Sequence, residues 1–288
     1  MTRRAVLIRD RKIASYDDLA HDRATILYTG SPARVLVWQR VSVSMATHSK
    51  VSTIEKSPFV AKVSFLQVDR AGETLASPDG TWDLVFIRNA QSVRAIRTGL
   101  TTRPVRLWHS EGEEVLAISF KPSVNMATVD AIASLDKGYV LKSDRKGFRV
   151  AGEVFEIPAF NNADVFVDRL ARAGLLRANR AVQSILDGQR VAMSERTLQR
   201  QFKVTTGMTY KRFTMIERAG LAAERLRKGE SAQNVVHALG FYDQAHLINS
   251  VREIIGQTPS QLDRHGTLRS ELAGGVAVFS NTRITATF

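Results

Sequence analysis

Residues 190–229 read RVAMSERTLQRQFKVTTGMTYKRFTMIERAGLAAERLRKG, and residues 231–262 read SAQNVVHALGFYDQAHLINSVREIIGQTPSQL. The two stretches follow one grammar. Ser194 is placed to cap a helix, Glu195 suits the positive end of its dipole, and Leu198 and Phe202, four apart, form its buried stripe. Gly207 stops that helix and Thr209 can cap the next. Along 209–228, Phe213, Ile216, Gly220, Ala223 and Leu226 make a stripe that one helix can bury. The basic end Arg225-Leu226-Arg227-Lys228 precedes Gly229, a helix terminus. Ser231 then opens a second unit with Val235, Val236 and Leu239 inward. Gly240 makes the turn, Phe241 plugs the core, and Asp243 caps a helix that buries Leu247, Val251, Ile254 and Ile255. Thr258-Pro259 gives a cap followed by proline at the first helical position, the start of a closing helix. The pattern predicts two helix-turn-helix units joined by one long helix.

The outward faces carry the chemistry. Arg196, Gln199, Arg200 and Lys203 fall at i, i+3, i+4 and i+7. On the later helix Gln244, Ala245, Asn249 and Arg252 point outward, with His246 at the margin. An arginine fork matches the guanine edge, and a glutamine or asparagine amide matches adenine. One such face alone is equally a solvated helix surface. Two matched, capped and bridged units suit successive major grooves on one side of a duplex.

The net charge of +13 fits a polyanionic partner. Within 190–228 there are ten basic and three acidic residues. Lys203, Lys211, Arg212, Arg218 and Arg252 are the candidate phosphate contacts. Cysteine is absent, which excludes disulfides, thiolate metal sites and cysteine nucleophiles. No apolar run reaches the roughly 18 residues of a membrane span, and the first residues mix charge signs where a secretory signal needs an apolar core. A cytoplasmic protein is expected.

The part before Pro158 reads as short strands punctuated by turns. Strands are expected at Arg34–Val43, Lys62–Val68, from Trp82 through Ile87 after the Pro78-Asp79-Gly80 turn, at Glu114–Phe120 and at Phe148–Ile157. A short helix is expected over Val124–Leu135. Strands at this spacing suggest a β-sandwich or small barrel. Helical spacing begins past Pro158, with a linker around 156–162 and Asn161 or Asn162 as cap. The fold class is therefore α+β: a β-rich domain over 1–158, an all-α domain over 163–265, and a tail over 266–288 that either frays or adds a strand to the first domain. Four carboxylates in the β-rich part lack catalytic spacing: Asp79 reads as a turn residue, Asp83 as the outward side of a strand, and Glu111 and Glu113 as part of a solvated hairpin loop. No enzyme activity is expected.

SERTLQRQF, IERAGLAAERLRKG, GFYDQAHL and GQTPSQL resemble the DNA-binding domain of the AraC/XylS family of transcription regulators, over roughly the last third of the chain. The resemblance implies that the helices near 194–204 and 243–255 lie in major grooves. It implies base contacts through Arg196, Gln199, Arg200, Gln244, Ala245 and Asn249. Two departures stand out. Asn249 and Val251 replace a frequent arginine and a frequent aromatic, and Asp187-Gly188-Gln189-Arg190 interrupts the helix before Ser194. PDGTWDLVF resembles the amino-terminal domains of one subgroup, which implies a degenerate cupin or jelly-roll sensor or dimerisation domain. His48 and His109 stand alone, so neither metal nor other cofactor is expected. Some relatives carry a cysteine methyl acceptor, which the missing cysteines exclude. The implied partners are double-stranded DNA, a small-molecule effector, RNA polymerase and a second copy of the chain, with no membrane. The alternative is a first domain that only oligomerises or contacts proteins.

Overall fold

The computed structural model describes residues 6–8, 11–13, 46–52 and 57–266, with side chains at 49–52 and 57–262. The expected strand at Arg34–Val43, the side chain of His48 and the tail beyond 266 lie outside that range. Val6–Ile8 (β1) and Arg11–Ile13 (β2) pair antiparallel. Next come Ala46–Ser52 (β3), Val60–Val68 (β4), Gly72–Ala76 (β5), Trp82–Arg88 (β6), Val93–Thr98 (β7), Val105–His109 (β8) and Glu114–Phe120 (β9). Val124–Met126 (β10), the short helix Ala131–Ser134 (α1), Gly138–Leu141 (β11), Phe148–Val150 (β12) and Glu153–Phe155 (β13) complete the strand-rich part.

Six strands form one antiparallel sheet in the order β11-β7-β6-β9-β4-β3, while β5 and β8 form a separate ribbon. Among the described strands the sheet is open, with β3 and β11 at its ends, and does not close into a barrel. Alternation works as expected on β6. Trp82, Leu84 and Phe86 are buried, and Leu84 lies between Ile118 and Arg97 on the neighbouring strands. The other face is half-buried and carries a polar cluster near Asp83. Lys62 Nζ meets Asp79 Oδ2 at 2.6 Å, and Asp79 also accepts from the amide and hydroxyl of Thr81. Burial, then the Asp79 charge, pushes the neighbouring Asp83 up to about 6.

Three readings are corrected by tertiary pairing. Val124–Met126 is a strand rather than the start of a helix, because it pairs with Leu176–Ala178 (β14); only Ala131–Ser134 is helical, capped by Asp130. Phe148–Ile157 is a hairpin of β12 and β13, turning at Ala151 and Gly152, both at positive φ. Glu113 is buried, not solvated: its Oε1 pairs with Arg94 Nη2 at 2.9 Å and its Oε2 accepts from the Ser110 amide.

Beyond the 3-10 turn Phe160–Asn162 run Ala163–Arg172 (α2), β14, Arg180–Leu186 (α3), Glu195–Thr206 (α4), Tyr210–Arg227 (α5), Ala232–Leu239 (α6), Gln244–Ile255 (α7) and Pro259–Gly266 (α8). Asn162 precedes α2 as expected, but its side chain accepts from the Ala159 amide instead of capping the helix. The helical spacing from 163 is real, yet its first residues serve the sheet. Phe166 of α2 packs with Phe86, Phe148 and Phe155, at ring centroids 5.9–6.4 Å apart. These rings share one continuous core with the helices that follow.

The strand-rich body meets the ends of both α4 and α7. A Cβ at Gly207, the α4 terminus at φ 83°, would stand 2.5 Å from the Ala131 carbonyl oxygen. A Cβ at Gly256, the α7 terminus at φ 79°, would stand 2.9 Å from Pro104 Cγ. Ser77 Oγ donates to the Ile255 carbonyl at 3.1 Å. Arg212 on α5 donates through Nη2 to the Thr102 carbonyl at 2.6 Å and pairs through Nη1 with Glu253 at 2.7 Å. One side chain thus ties α5, α7 and the strand-rich body together.

Candidate nucleic-acid interface

The caps read from the sequence are present. Ser194 Oγ accepts from the Thr197 amide at 3.3 Å, Thr209 from Arg212, Ser231 from Asn234, and Asp243 from His246 at 2.7 Å. Each satisfies an amide that its helix leaves unpaired. Phe202 is buried with edge-on contacts to Tyr210 and Phe213, whereas Leu198 is only half-buried. Leu247, Val251, Ile254 and Ile255 of α7 are all buried, as are Phe213, Ile216, Ala223 and Leu226 of α5. The helix before Ser194 is short, the seven residues of α3, followed by Asp187 and by Gly188 at φ 69°. Asn179 compensates: its Oδ1 caps α3 and its Nδ2 donates to Gln201 and Thr205 of α4.

Arg196, Gln199, Arg200 and Lys203 are exposed along α4, and Gln244, Ala245, Asn249 and Arg252 along α7. Gln199 Nε2 donates to Glu195 at 2.9 Å, and Arg252 Nη2 donates to Asn249 Oδ1 at 3.1 Å. Both contacts are at the surface and can exchange for a base edge or phosphate. The basic residues divide. Lys203 and Lys211 are exposed and have no ion pair among the described residues. Arg212 is committed to the bridge described above. Arg218 lies over the Phe241 ring, 4.7 Å from its centroid, and donates to the Gly240 carbonyl. It helps to close the turn of the second unit, so Arg212 and Arg218 have partners within the protein while Lys203 and Lys211 have no ion pair among the described residues. Spacing along α5 could not separate these roles, because they depend on what the helix packs against.

Tyr242 was not singled out by the sequence reading and is 90% exposed in the turn before α7. The signal was available: of the adjacent Phe241 and Tyr242, only one ring can plug the core. Burial pushes Glu217, on α5, up to about 7.

Two turn-linked helix pairs with capped, polar-faced second helices define a helix-turn-helix protein, and residues 188–265 match the family model described as a helix-turn-helix domain. This part of the chain is an AraC-type helix-turn-helix domain. It is similar to the bifunctional transcriptional activator/DNA repair enzyme Ada of Escherichia coli, 42% identical over 76 residues, 26% of this chain and 21% of that protein. The regulatory protein ada of Salmonella typhimurium is 34% identical over 101 residues, covering 35% and 29% of the two chains. The HTH-type transcriptional activator RhaS of Pectobacterium carotovorum is 35% identical over 83 residues, covering 28% and 30%. The chain therefore spans less than a third of the length of each of these relatives. No solved structure matches it significantly. Among the described residues no helix is long and apolar enough to cross a membrane.

Proposed function

We propose that this chain is a sequence-specific DNA-binding regulator of transcription. In this reading α4 and α7 enter successive major grooves on one face of the duplex. The observation that carries it is the pair of capped helices with exposed polar faces, braced by α5. Arg196, Gln199 and Arg200 read bases from α4; Gln244, Ala245 and Asn249 read them from α7. Lys203, Lys211 and Arg252 hold phosphates, giving affinity that falls steeply with salt. Each good bidentate base contact supplies about 1–3 kcal/mol of discrimination. The strand-rich body modulates binding, a role supported by its contacts with the ends of both reading helices. Activation, with RNA polymerase as partner, is supported by the names of the relatives. A small-molecule effector, a second copy of the chain and a cytoplasmic location complete the proposal.

The test is selection of bound fragments from sheared genomic DNA of the source organism, followed by footprinting. The expected result is a motif with two protected blocks about 10 bp apart. Arg200→Ala should weaken that site about tenfold or more while leaving random DNA nearly unchanged, consistent with a lost base contact. Binding without any motif, or equal loss on both DNAs, removes the reading role.

A further inference from the structure

Helix α7 carries an aliphatic side chain that its core does not use. Leu247, Val251, Ile254 and Ile255 complete the buried stripe, and none is more than 3% exposed. Ile248 stands at the flank of that stripe and is 37% exposed. The helix sets its surface neighbours: Gln244 and Ala245 lie one turn before it, and Val251 and Arg252 one turn after. Gln244, Ala245 and Arg252 are exposed. The branched side chain thus interrupts the face assigned to base reading, between Gln244 and Arg252. Branching at Cβ also makes isoleucine a poorer helix former than alanine, leucine or lysine, so local helix stability gives no reason for it at an exposed position.

The two reading faces differ in what they can contact. On α4, the face of Arg196, Gln199, Arg200 and Lys203 offers charged and amide donors. On α7 the cation of the face is Arg252, in the last turn, where it donates to Asn249. The earlier turns present the Gln244 amide, the Ala245 methyl and the Ile248 side chain. The base edges of the major groove carry one methyl group, that of thymine, among donors and acceptors. An aliphatic chain laid on those donors and acceptors would desolvate them without supplying a partner, which is costly. Against the methyl it buries apolar surface on both sides. Glutamine matches the adenine edge with two hydrogen bonds. Residues four apart lie about 6 Å along a helix axis, or about two base-pair steps, so Gln244 and Ile248 can serve neighbouring pairs.

We propose that Ile248, with the Ala245 methyl beside it, is a specificity-determining residue that packs on the 5-methyl of a thymine, so that α7 selects a half-site containing A·T pairs. The inference rests on the reading of α7 as a groove-entering helix and adds to it the base that this helix favours. Gln244 takes the adenine edge of a neighbouring pair. A·T is thereby selected twice, by an amide and by an apolar contact, and no guanidinium is needed for either. The first unit, with two arginines on α4, suits guanine. The two halves of the recognised site should differ in composition accordingly. A methyl group withdrawn from water by one such contact changes affinity about fourfold.

The experiment uses the full chain and a random-sequence duplex pool, from which bound fragments are selected and aligned. In the best-bound duplex each thymine is then replaced in turn by deoxyuridine, which lacks only the 5-methyl. Affinity is measured for the parent, I248S and I248V. The expected result for the parent is a loss of about fourfold at one or two thymines confined to one contact block. I248S should weaken the unmodified duplex by a similar factor and bind the thymine and deoxyuridine forms equally at those positions. I248V keeps a branched apolar chain and should retain the discrimination. The position is exposed, and an unfolding midpoint matching the parent's shows that I248S is folded; I248A, a better helix former, replaces it if it is not. Indifference of the parent to deoxyuridine at every thymine overturns the role of Ile248. Unchanged discrimination in the folded serine or alanine variant overturns it as well. A two-block motif with either result leaves DNA reading standing and removes only this residue's part. A pool that yields no motif removes DNA reading and this role with it.

Discussion

The two helix-turn-helix units share one plan and have different supports. In the second, α7 packs on α5, α6 and α8, all from the same helical domain. In the first, α4 packs more on α3 and on α1 of the strand-rich body than on α5. Its core is also more aromatic: Phe202 between Tyr210 and Phe213, against Phe241 beside His246 and under the partly exposed Arg218. Both units thus lean on the strand-rich body, the first through a whole helix, α1, packed on α4, and the second only through contacts at the carboxy-terminal end of α7.

The largest test of this contrast is deletion of the two central rings. Phe202→Ala should cost about 3–5 kcal/mol, because its 1%-exposed ring leaves a cavity bounded by two other aromatics. Phe241→Ala should cost roughly 2–3 kcal/mol, since the Arg218 side chain can settle into the space. Denaturant unfolding measures both. A larger loss at Phe241 would reverse the assignment of the more dependent unit.

The helix-terminal glycines sharpen the comparison. Both are left-handed, so alanine costs about 1–2 kcal/mol at either for conformation alone. At 207 the new methyl also meets backbone, the Ala131 carbonyl, and α1 or α4 must move. At 256 it meets the side chains of Pro104 and Leu75, which yield more easily. Gly207→Ala should therefore destabilise by roughly 2–4 kcal/mol and Gly256→Ala by about 1–2 kcal/mol. Hydrogen exchange should show the loss at 207 spreading into α1. Equal and purely local effects would mean that the body does not brace the first unit more tightly than the second.

The helical units were legible because their signals are local. Caps, stop glycines and 3.6-residue spacing act within a few positions, and Ser194, Thr209, Ser231 and Asp243 each do what their neighbours imply. The strands of the main sheet were legible where alternation ran for five residues or more, as at Trp82 and Glu114. What escaped was set by distant partners. Val124 looks helical until Leu176–Ala178 supplies a strand beside it. Glu113 looks solvated until Arg94 reaches it. Val93–Thr98 was not among the expected strands, and only the fold shows that Arg97 lies on its inward face. The exposed faces of α4 and α7 could be read residue by residue, whereas the fates of Arg212 and Arg218 could not.

The smallest effect separates a phosphate contact from a structural bridge. Arg212 is about a quarter exposed and its partner Glu253 more than half, so the ion pair contributes under about 1 kcal/mol. The bond to the Thr102 carbonyl, from a charged donor, adds to this. Arg212→Ala should lower stability by roughly 1–2 kcal/mol while leaving the salt dependence of DNA binding nearly unchanged. Lys211, adjacent in sequence and exposed, should behave in the opposite way. Lys211→Ala should leave stability within about 0.5 kcal/mol of the parent and reduce the slope of log K against log salt by about 1. Van 't Hoff unfolding and binding at three salt concentrations are sufficient to compare the pair. If Arg212→Ala flattens the slope as much as Lys211→Ala, the bridge must open when DNA binds, and the strand-rich body would release the second unit as well as brace the first.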